Sequence, residues 1–304
     1  MLSLLLFFCL FPIVMSGFSK IEKQNISIDT PPGQVWVMEK HLWGQKMREM
    51  EEYLIGMLAA TIPVEYEKET LKAQAIILRS FCMTQLKKEN GKKVVYDDVI
   101  KSYYLNEKQR KEIWQDKYDT NETKLMQAVQ ETRGMILVCN GDIINPPFFR
   151  LSNGNTRDIA EYVYTQNKYP YMKSVVCEKD ILAEDYIQYV EMTQKEFENV
   201  LKRLLPKDMQ KIQKLTSYKD EKGYVKEIEI NKTRIEGEKF RKILNLASSC
   251  FTLQKIDSVI EIQTKGIGHG FGFSQWTANE LAKEGKTYEE LLHNFYENIT
   301  LEKI

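Results

Sequence analysis

The sequence predicts an α+β fold: mixed helices and β-hairpins forming one large domain around a groove, over residues 26–304. Three observations lead there. The apolar period changes from helical to alternating near Met135, and turn dipeptides at Asn140-Gly141 and Lys222-Gly223 separate alternating runs. The helical stretches also stand segregated from these hairpins, which fits α+β better than a parallel α/β sheet. A chain of 304 residues is long enough to bury a sizeable core.

Residues 1–18, MLSLLLFFCLFPIVMSGF, are almost purely apolar and run straight into the polar stretch Ser19 to Asn25. The stretch is long for a signal-peptide core, short for a membrane span, and interrupted by Pro12. Val14 and Ser16 suit a signal peptidase, while the basic region that normally precedes such a core is missing. Residues 1–18 are therefore expected to export the chain, either as a signal peptide or as a retained membrane anchor. Residues 26 to 37 read as an extended segment with a turn at Pro31-Pro32-Gly33. A helix is expected from Gln45 to Ala60, with Met50, Leu54, Met57 and Leu58 at helical spacing and Pro63 ending it. A second starts near Glu67 and carries Leu71, Ala75, Leu78 and Cys82 on one face. Glu67 and Glu69 fall in its first turn, where carboxylates complement the helix dipole.

Glu107 to Trp114 and Glu122 to Thr132 read as two further helices. MILVCNGDIINPPFFRLSNG then reads as a hairpin, Thr193 to Leu205 as a helix, and KLTSYKDEKGYVKEIEI as a second hairpin. A short helix near Glu238 to Leu246, a strand over Ser258 to Thr264 and a closing helix from Tyr288 to Tyr296 complete the expected order.

Basic and acidic residues number 43 each. That balance argues against a nucleic-acid binder, which needs a basic stripe to displace counterions. The five cysteines, at positions 9, 82, 139, 177 and 250, show no CxxC spacing and are expected as free buried thiols rather than a disulfide framework. None of the three histidines stands at ligand spacing from a cysteine, so no metal and no cofactor is expected.

Chemistry concentrates in GIGHGFGFSQWTANELAKEG. Gly266, Gly268, Gly270 and Gly272 alternate with larger residues, a density that lets the backbone approach another surface closely. The spacing fits neither nucleotide-binding fingerprint. His269, Ser274 and Gln275 form a candidate polar cluster there; a plain glycine-rich strand entering a helix is the alternative.

This stretch resembles the C-terminal signature of the stage II sporulation protein D family, with its GHG, SQ and AN steps and the KEGKTYEE segment. EEYLIGMLAATIPVEYEKETLKAQAIILRSF resembles the N-terminal signature, with Tyr53, Leu54, Gly56, Pro63, Glu69, Leu71 to Ala75 and Arg79 in matching places. AVQETRGMILVCNGDIINPPFF, LSNGNT, YPYMKSV and EGEKFRKILNL follow in the family's order, so the resemblance spans residues 26–304.

The resemblance implies action on peptidoglycan during forespore engulfment, with glycan strands freed of stem peptides as substrate. It also implies lytic transglycosylase chemistry, in which one sheltered carboxylic acid protonates the glycosidic oxygen and then, as carboxylate, assists attack by the sugar's own 6-hydroxyl. In the family that acid is the Glu of a Glu-Met-Pro step; Thr61-Ile62-Pro63 stands here. A threonine hydroxyl is a poor proton donor to a leaving alkoxide, and losing general acid catalysis costs about 10²- to 10⁴-fold.

Glu65 is the nearest substitute carboxylate, with a solvated residue ahead of the second helix as its ordinary explanation. Arg150 stands where the family shows a histidine or small residue; it is either a carboxylate-binding guanidinium or a surface arginine. Ser152, Gly154 and Thr156 keep the small polar character of a sugar-contacting loop, and Arg79, His269, Gly270, Ser274 and Gln275 complete the expected substrate-binding set. Trp276 is either a sugar platform or a core filler.

Three readings follow: a glycan-binding member with lost or weakened cleavage, an active lytic transglycosylase with a displaced carboxylate, and a non-enzymatic module in a membrane sporulation complex. Expected partners are peptidoglycan glycan strands and other sporulation cell-wall hydrolases or membrane proteins, with no nucleic acid.

Overall fold

The computed structural model describes residues 35–41, 44–88, 94–100, 103–162, 169–203, 205 and 214–304. The apolar leader, and most of the extended segment expected after it, lie outside these residues. Among the described residues no helix is long and apolar enough to cross a membrane. The class is α+β, as expected, and the chain gathers into two compact units.

The first unit holds residues 1–137, 143–145 and 302–304. Strands β1 (Trp36–His41) and β2 (Gly44–Glu49) form an antiparallel hairpin in register Trp36↔Glu49 to His41↔Gly44. The helix expected from Gln45 therefore begins later, at Met50: helix α1 is Met50–Thr61. Residues 45 to 49 satisfy their backbone groups across the β1 ladder instead, a long-range pairing invisible to local periodicity.

Tyr53, Leu54, Met57 and Leu58 are buried on α1, and the chain leaves the helix at Ile62 in an extended conformation imposed ahead of Pro63. Helix α2 (Lys68–Lys88) buries Leu71, Ala75, Leu78 and Cys82 completely, the face its spacing predicts. Strand β3 (Val94–Tyr96) pairs in parallel with β1. Helices α3 (Asp97–Ile100), α4 (Glu107–Trp114) and α5 (Tyr118–Glu131) follow, α4 opened by an Asn106–Gln109 capping box. Gly56 is needed because a Cβ there would meet the Tyr104 ring at 2.2 Å. The same ring stacks on Tyr53 with centroids 4.1 Å apart.

The second unit holds residues 138–142 and 146–301. Strand β4 (Met135–Cys139) turns through Asn140 and Gly141, both at positive φ (53° and 79°), into β5 (Asp142–Ile143), giving the expected hairpin. The PPFF stretch leaves that hairpin: β6 (Phe148–Phe149) pairs in parallel with a later strand.

Strand β7 (Ile187–Thr193) leads into helix α6 (Gln194–Leu201), shorter than its apolar pattern suggests. Strands β8 (Leu215–Lys219) and β9 (Val225–Ile230) form the second expected hairpin, extended by β10 (Thr233–Glu236). Helix α7 (Gly237–Ile243) precedes β11 (Phe251–Ile256) and β12 (Val259–Lys265), which order as β11-β12-β7. Strand β13 (Phe273–Ser274) is the partner of β6, and helices α8 (Gln275–Lys283) and α9 (Tyr288–Phe295) follow it. The chain closes on a strand rather than a helix, β14 (Ile299–Lys303), in the order β14-β4-β5.

The core here packs Phe197, Phe240 and Phe251 with Ile228, Ile230 and Ile262. Phe240 and Phe251 stack at 5.6 Å, and fully burying each contributes roughly 1.5–3 kcal/mol. The four cysteines of the described chain are buried free thiols.

Candidate functional site

In the first unit, Thr61 is the last residue of α1, and its hydroxyl donates to the Met57 carbonyl one turn back (2.8 Å). This bond commits the hydroxyl proton to the helix's own backbone. Glu65 is exposed rather than set in a sheltered pocket.

Arg79 is fully buried on α2 and forks onto Glu51, Nε to Oε1 at 2.8 Å and Nη2 to Oε2 at 2.7 Å. Its remaining donors reach the Met135 and Val129 carbonyls at 3.0 and 3.3 Å. The guanidinium thus ties α1, α2 and the end of α5 to β4, with no open face toward solvent.

In the second unit, the LSNGNT and GIGHGFGFSQ blocks, far apart in sequence, run side by side. Leu151 and Ile267 exchange backbone hydrogen bonds (3.0 and 2.8 Å), and the Arg157 amide donates to the Gly270 carbonyl (2.7 Å). The four alternating glycines all have positive φ. At Gly266 a Cβ would lie 2.7 Å from the Leu151 and Ser152 carbonyls, and at Gly270 2.6 Å from the Tyr224 ring. Close approach and a left-handed backbone explain glycine at both positions.

Asp180 joins the two blocks. Its side chain is fully buried, and its Oδ2 accepts from the Ser152 amide (2.6 Å) and the Ser274 hydroxyl (2.7 Å), while Oδ1 accepts from the Thr277 hydroxyl (2.7 Å). Ser274 is the residue preceding α8, yet it makes no capping bond because its hydroxyl is turned to Asp180. The carboxylate therefore sits against the first turn of α8, where the helix dipole favours negative charge. Burial still dominates and raises the Asp180 pKa, the hydroxyl and amide donors opposing it. Cys177 lies beside the Thr277 and Ser152 hydroxyls, and burial pushes its thiol up to about 12.

His269 is half-buried between the rings of Phe149 and Phe271, with centroids 5.7 and 6.1 Å away. Its Nδ1 accepts from the Phe271 amide (3.1 Å), which leaves the proton of the neutral ring on Nε2. Burial lowers its pKa to about 4, with Glu238 opposing and Arg241 and Arg157 reinforcing the shift, so the ring is a neutral donor near pH 7.

Behind the loop, Arg157 donates through Nε to Asp220 (3.0 Å) and through Nη1 to the His269 carbonyl (3.3 Å). The Tyr162 and Phe271 rings lie 4.8 and 4.5 Å from its guanidinium carbon. Burial pulls the Arg157 pKa down, and Asp220 opposes this most strongly.

Arg150 pairs with Asp185 at 2.8 Å. Gly154 donates its amide to the Ser152 hydroxyl (3.0 Å), Thr156 is buried, and Gln275 is buried at the start of α8. Trp276 is partly buried, its amide donating to the Arg150 carbonyl (3.0 Å).

Ser152, Gly154, His269, Gly270, Ser274 and Gln275 thus belong to two adjoining backbone segments of one unit. Asp180, Arg157 and Asp220, which hold those segments, escaped the sequence reading. Arg157 follows the LSNGNT block directly, a signal that was present; Asp180 and Asp220 stand in segments with no local pattern. Among the described residues no group of three or more His, Cys, Asp or Glu is arranged to hold a metal.

Residues 39–139 match the stage II sporulation protein (SpoIID) family. The chain is 32% identical over 254 residues to stage II sporulation protein D of Bacillus subtilis, covering 82% of this chain and 73% of that protein. It is 31% identical over 258 residues to the protein of the same name from Bacillus amyloliquefaciens, covering 83% and 74%. An uncharacterised protein of Brachyspira hyodysenteriae is 30% identical over 260 residues, covering 83% of this chain and 66% of that one. The matches run through both of the compact units, and on them the chain belongs to the stage II sporulation protein D family.

Proposed function

We propose that this protein acts in sporulation by binding peptidoglycan glycan strands on the outer side of the membrane, with its own lytic transglycosylase activity lost or weakened. Thr61 carries the reading. Where the resemblance calls for a carboxylic acid, a hydroxyl donates back to the Met57 carbonyl. Such a group neither protonates a leaving alkoxide nor holds the negative charge that follows. Glu65, the nearest substitute along the chain, is exposed and lacks the sheltered setting that the reaction calls for.

Binding draws on many weak contacts and survives loss of one carboxylate, whereas cleavage depends on the single proton donor. A protein of this kind serves partner hydrolases as a scaffold or activator on the strand. The test is incubation of the purified exported part with glycan strands freed of stem peptides, followed by mass spectrometry. Retention of strands without anhydromuramyl products is expected. Robust cutting by the wild type would refute lost activity and move attention to Glu65→Gln.

A further inference from the structure

Within the second unit, a cavity of about 270 Å³ opens between the LSNGNT loop, the β8–β9 turn and the ends of β11 and β12. Lys219 and Lys265 stand on its wall with Asn153, Tyr186, Cys250 and Gln263. Both lysines are exposed, and among the described residues neither has an ion-pair partner. Burial raises the Cys250 pKa, with the Asn153 amide and the Lys219 and Lys265 ammonium charges opposing it, which places both charges near the thiol. Asp220, next to Lys219 in the chain, is already engaged by the Arg157 guanidinium (3.0 Å), the Tyr162 hydroxyl (3.0 Å) and the Tyr224 amide (2.8 Å). Arg150, the residue whose type first suggests carboxylate recognition, has its charge matched by Asp185.

The floor of the cavity is fixed. Asn153 donates Nδ2 to the Lys222 carbonyl (2.6 Å) and to the Cys250 sulfur (3.3 Å), and its own carbonyl accepts from the Tyr186 hydroxyl (3.1 Å). The Lys265 amide donates to the Cys250 carbonyl (2.8 Å), holding the end of β12 beside β11. Two unmatched cations on a rigid, polar, concave wall make a site for a single carboxylate carried on a polar body.

We infer that Lys219 and Lys265 form a carboxylate subsite that receives the lactyl carboxylate of a muramic acid residue. The inference rests on the glycan-binding reading. A strand stripped of stem peptides exposes a free lactyl carboxylate on every muramic acid, whereas a strand that keeps its peptides has that carboxyl tied up as an amide. The two lysines therefore read the one group that distinguishes the two kinds of strand, leaving the neutral sugar backbone to other contacts.

The experiment measures binding of the full chain to peptide-free strands, to the same strands with their lactyl carboxylates converted to neutral amides, and to N-acetylmuramic acid alone. The wild type should bind the acidic strands about tenfold more tightly than the amidated ones, a preference that weakens with salt. Lys219→Gln/Lys265→Gln, two exposed substitutions, should remove the preference and leave affinity for amidated strands unchanged. Equal wild-type affinity for both strands overturns the subsite and leaves glycan binding standing. If neither strand binds, the glycan-binding reading fails, and N-acetylmuramic acid titrated against the protein's amide NMR spectrum decides the subsite. Shifts at Asn153 and Lys265 that vanish in the double variant support it; no shifts there overturn it.

Discussion

The Ser152 amide and the Ser274 hydroxyl meet on one oxygen of Asp180, at 2.6 and 2.7 Å. Two segments distant in the chain are held in register by a carboxylate that neither contains. Replacing Asp180 by Ala leaves an amide and two hydroxyls buried without an acceptor, and should cost about 3–5 kcal/mol in urea unfolding. Asp180→Asn should cost far less. Its carbonyl can face Ser152 and Ser274 while its amide donates to Thr277 once that hydroxyl rotates. Equal losses in the two variants would show that the hydrogen bonds are not what matters.

The same carboxyl carries a pH signature. Its folded pKa is raised, so the folded state keeps the proton at pH values where the unfolded chain has released it. Its contribution to stability is therefore full at low pH, and falls as pH rises from about 3.9 through the raised folded value. Thermal melts across that window should show Asp180→Asn lacking this component; an identical pH slope in the variant and the wild type contradicts it.

His269 has the opposite sign. With its folded pKa lowered to about 4 from an ordinary value of about 6.5, the unfolded chain takes up a proton first on acidification. Stability is fully present above pH ~6.5 and is lost as pH falls toward ~4, by about 2 kcal/mol after discounting for the ring's partial exposure. His269→Asn, which keeps an acceptor for the Phe271 amide, should flatten this acid-side decline in a pH series of melts.

The Arg79–Glu51 fork predicts a stability effect remote from any ligand. Arg79→Ala strands the partly buried Glu51 carboxylate and leaves two carbonyls without their donor, a loss of about 2–4 kcal/mol. Paired substitution of Arg79 and Glu51 by apolar residues of similar volume should recover much of that loss in chemical denaturation. No recovery would mean that the bonds to Met135 and Val129 dominate.

Thr61→Glu should bring measurable anhydromuramyl product where the wild type gives scarcely any, at a stability cost under about 1 kcal/mol for the lost bond to Met57. Product is read by mass spectrometry on peptide-free strands. Silence of the variant combined with active wild type is the outcome that overturns lost activity. Silence of both would mean that the surroundings of residue 61 no longer hold a glutamic acid within reach of the glycosidic oxygen.

Local chemistry was enough for the elements whose signals are local. Leu71, Ala75, Leu78 and Cys82 mark the buried face of α2 by spacing alone, and Asn140-Gly141 marks its turn because only small or amide residues accept positive φ there. The family, too, was legible, because its motifs are contiguous runs. Tertiary structure alone decided what depends on partners far along the chain. Residues 45 to 49 became strand because β1 lies beside them, and Phe148-Phe149 left its hairpin for β13. Asp180, in a segment with no pattern of its own, became the shared acceptor of Ser152 and Ser274. Arg79 and Arg150 carry the same cation in sequence, yet one is buried against Glu51 and the other matched by Asp185. Among the described residues Lys219 and Lys265 stay unmatched beside a cavity, because whether a charge is free depends on what the fold brings within a few ångströms of it.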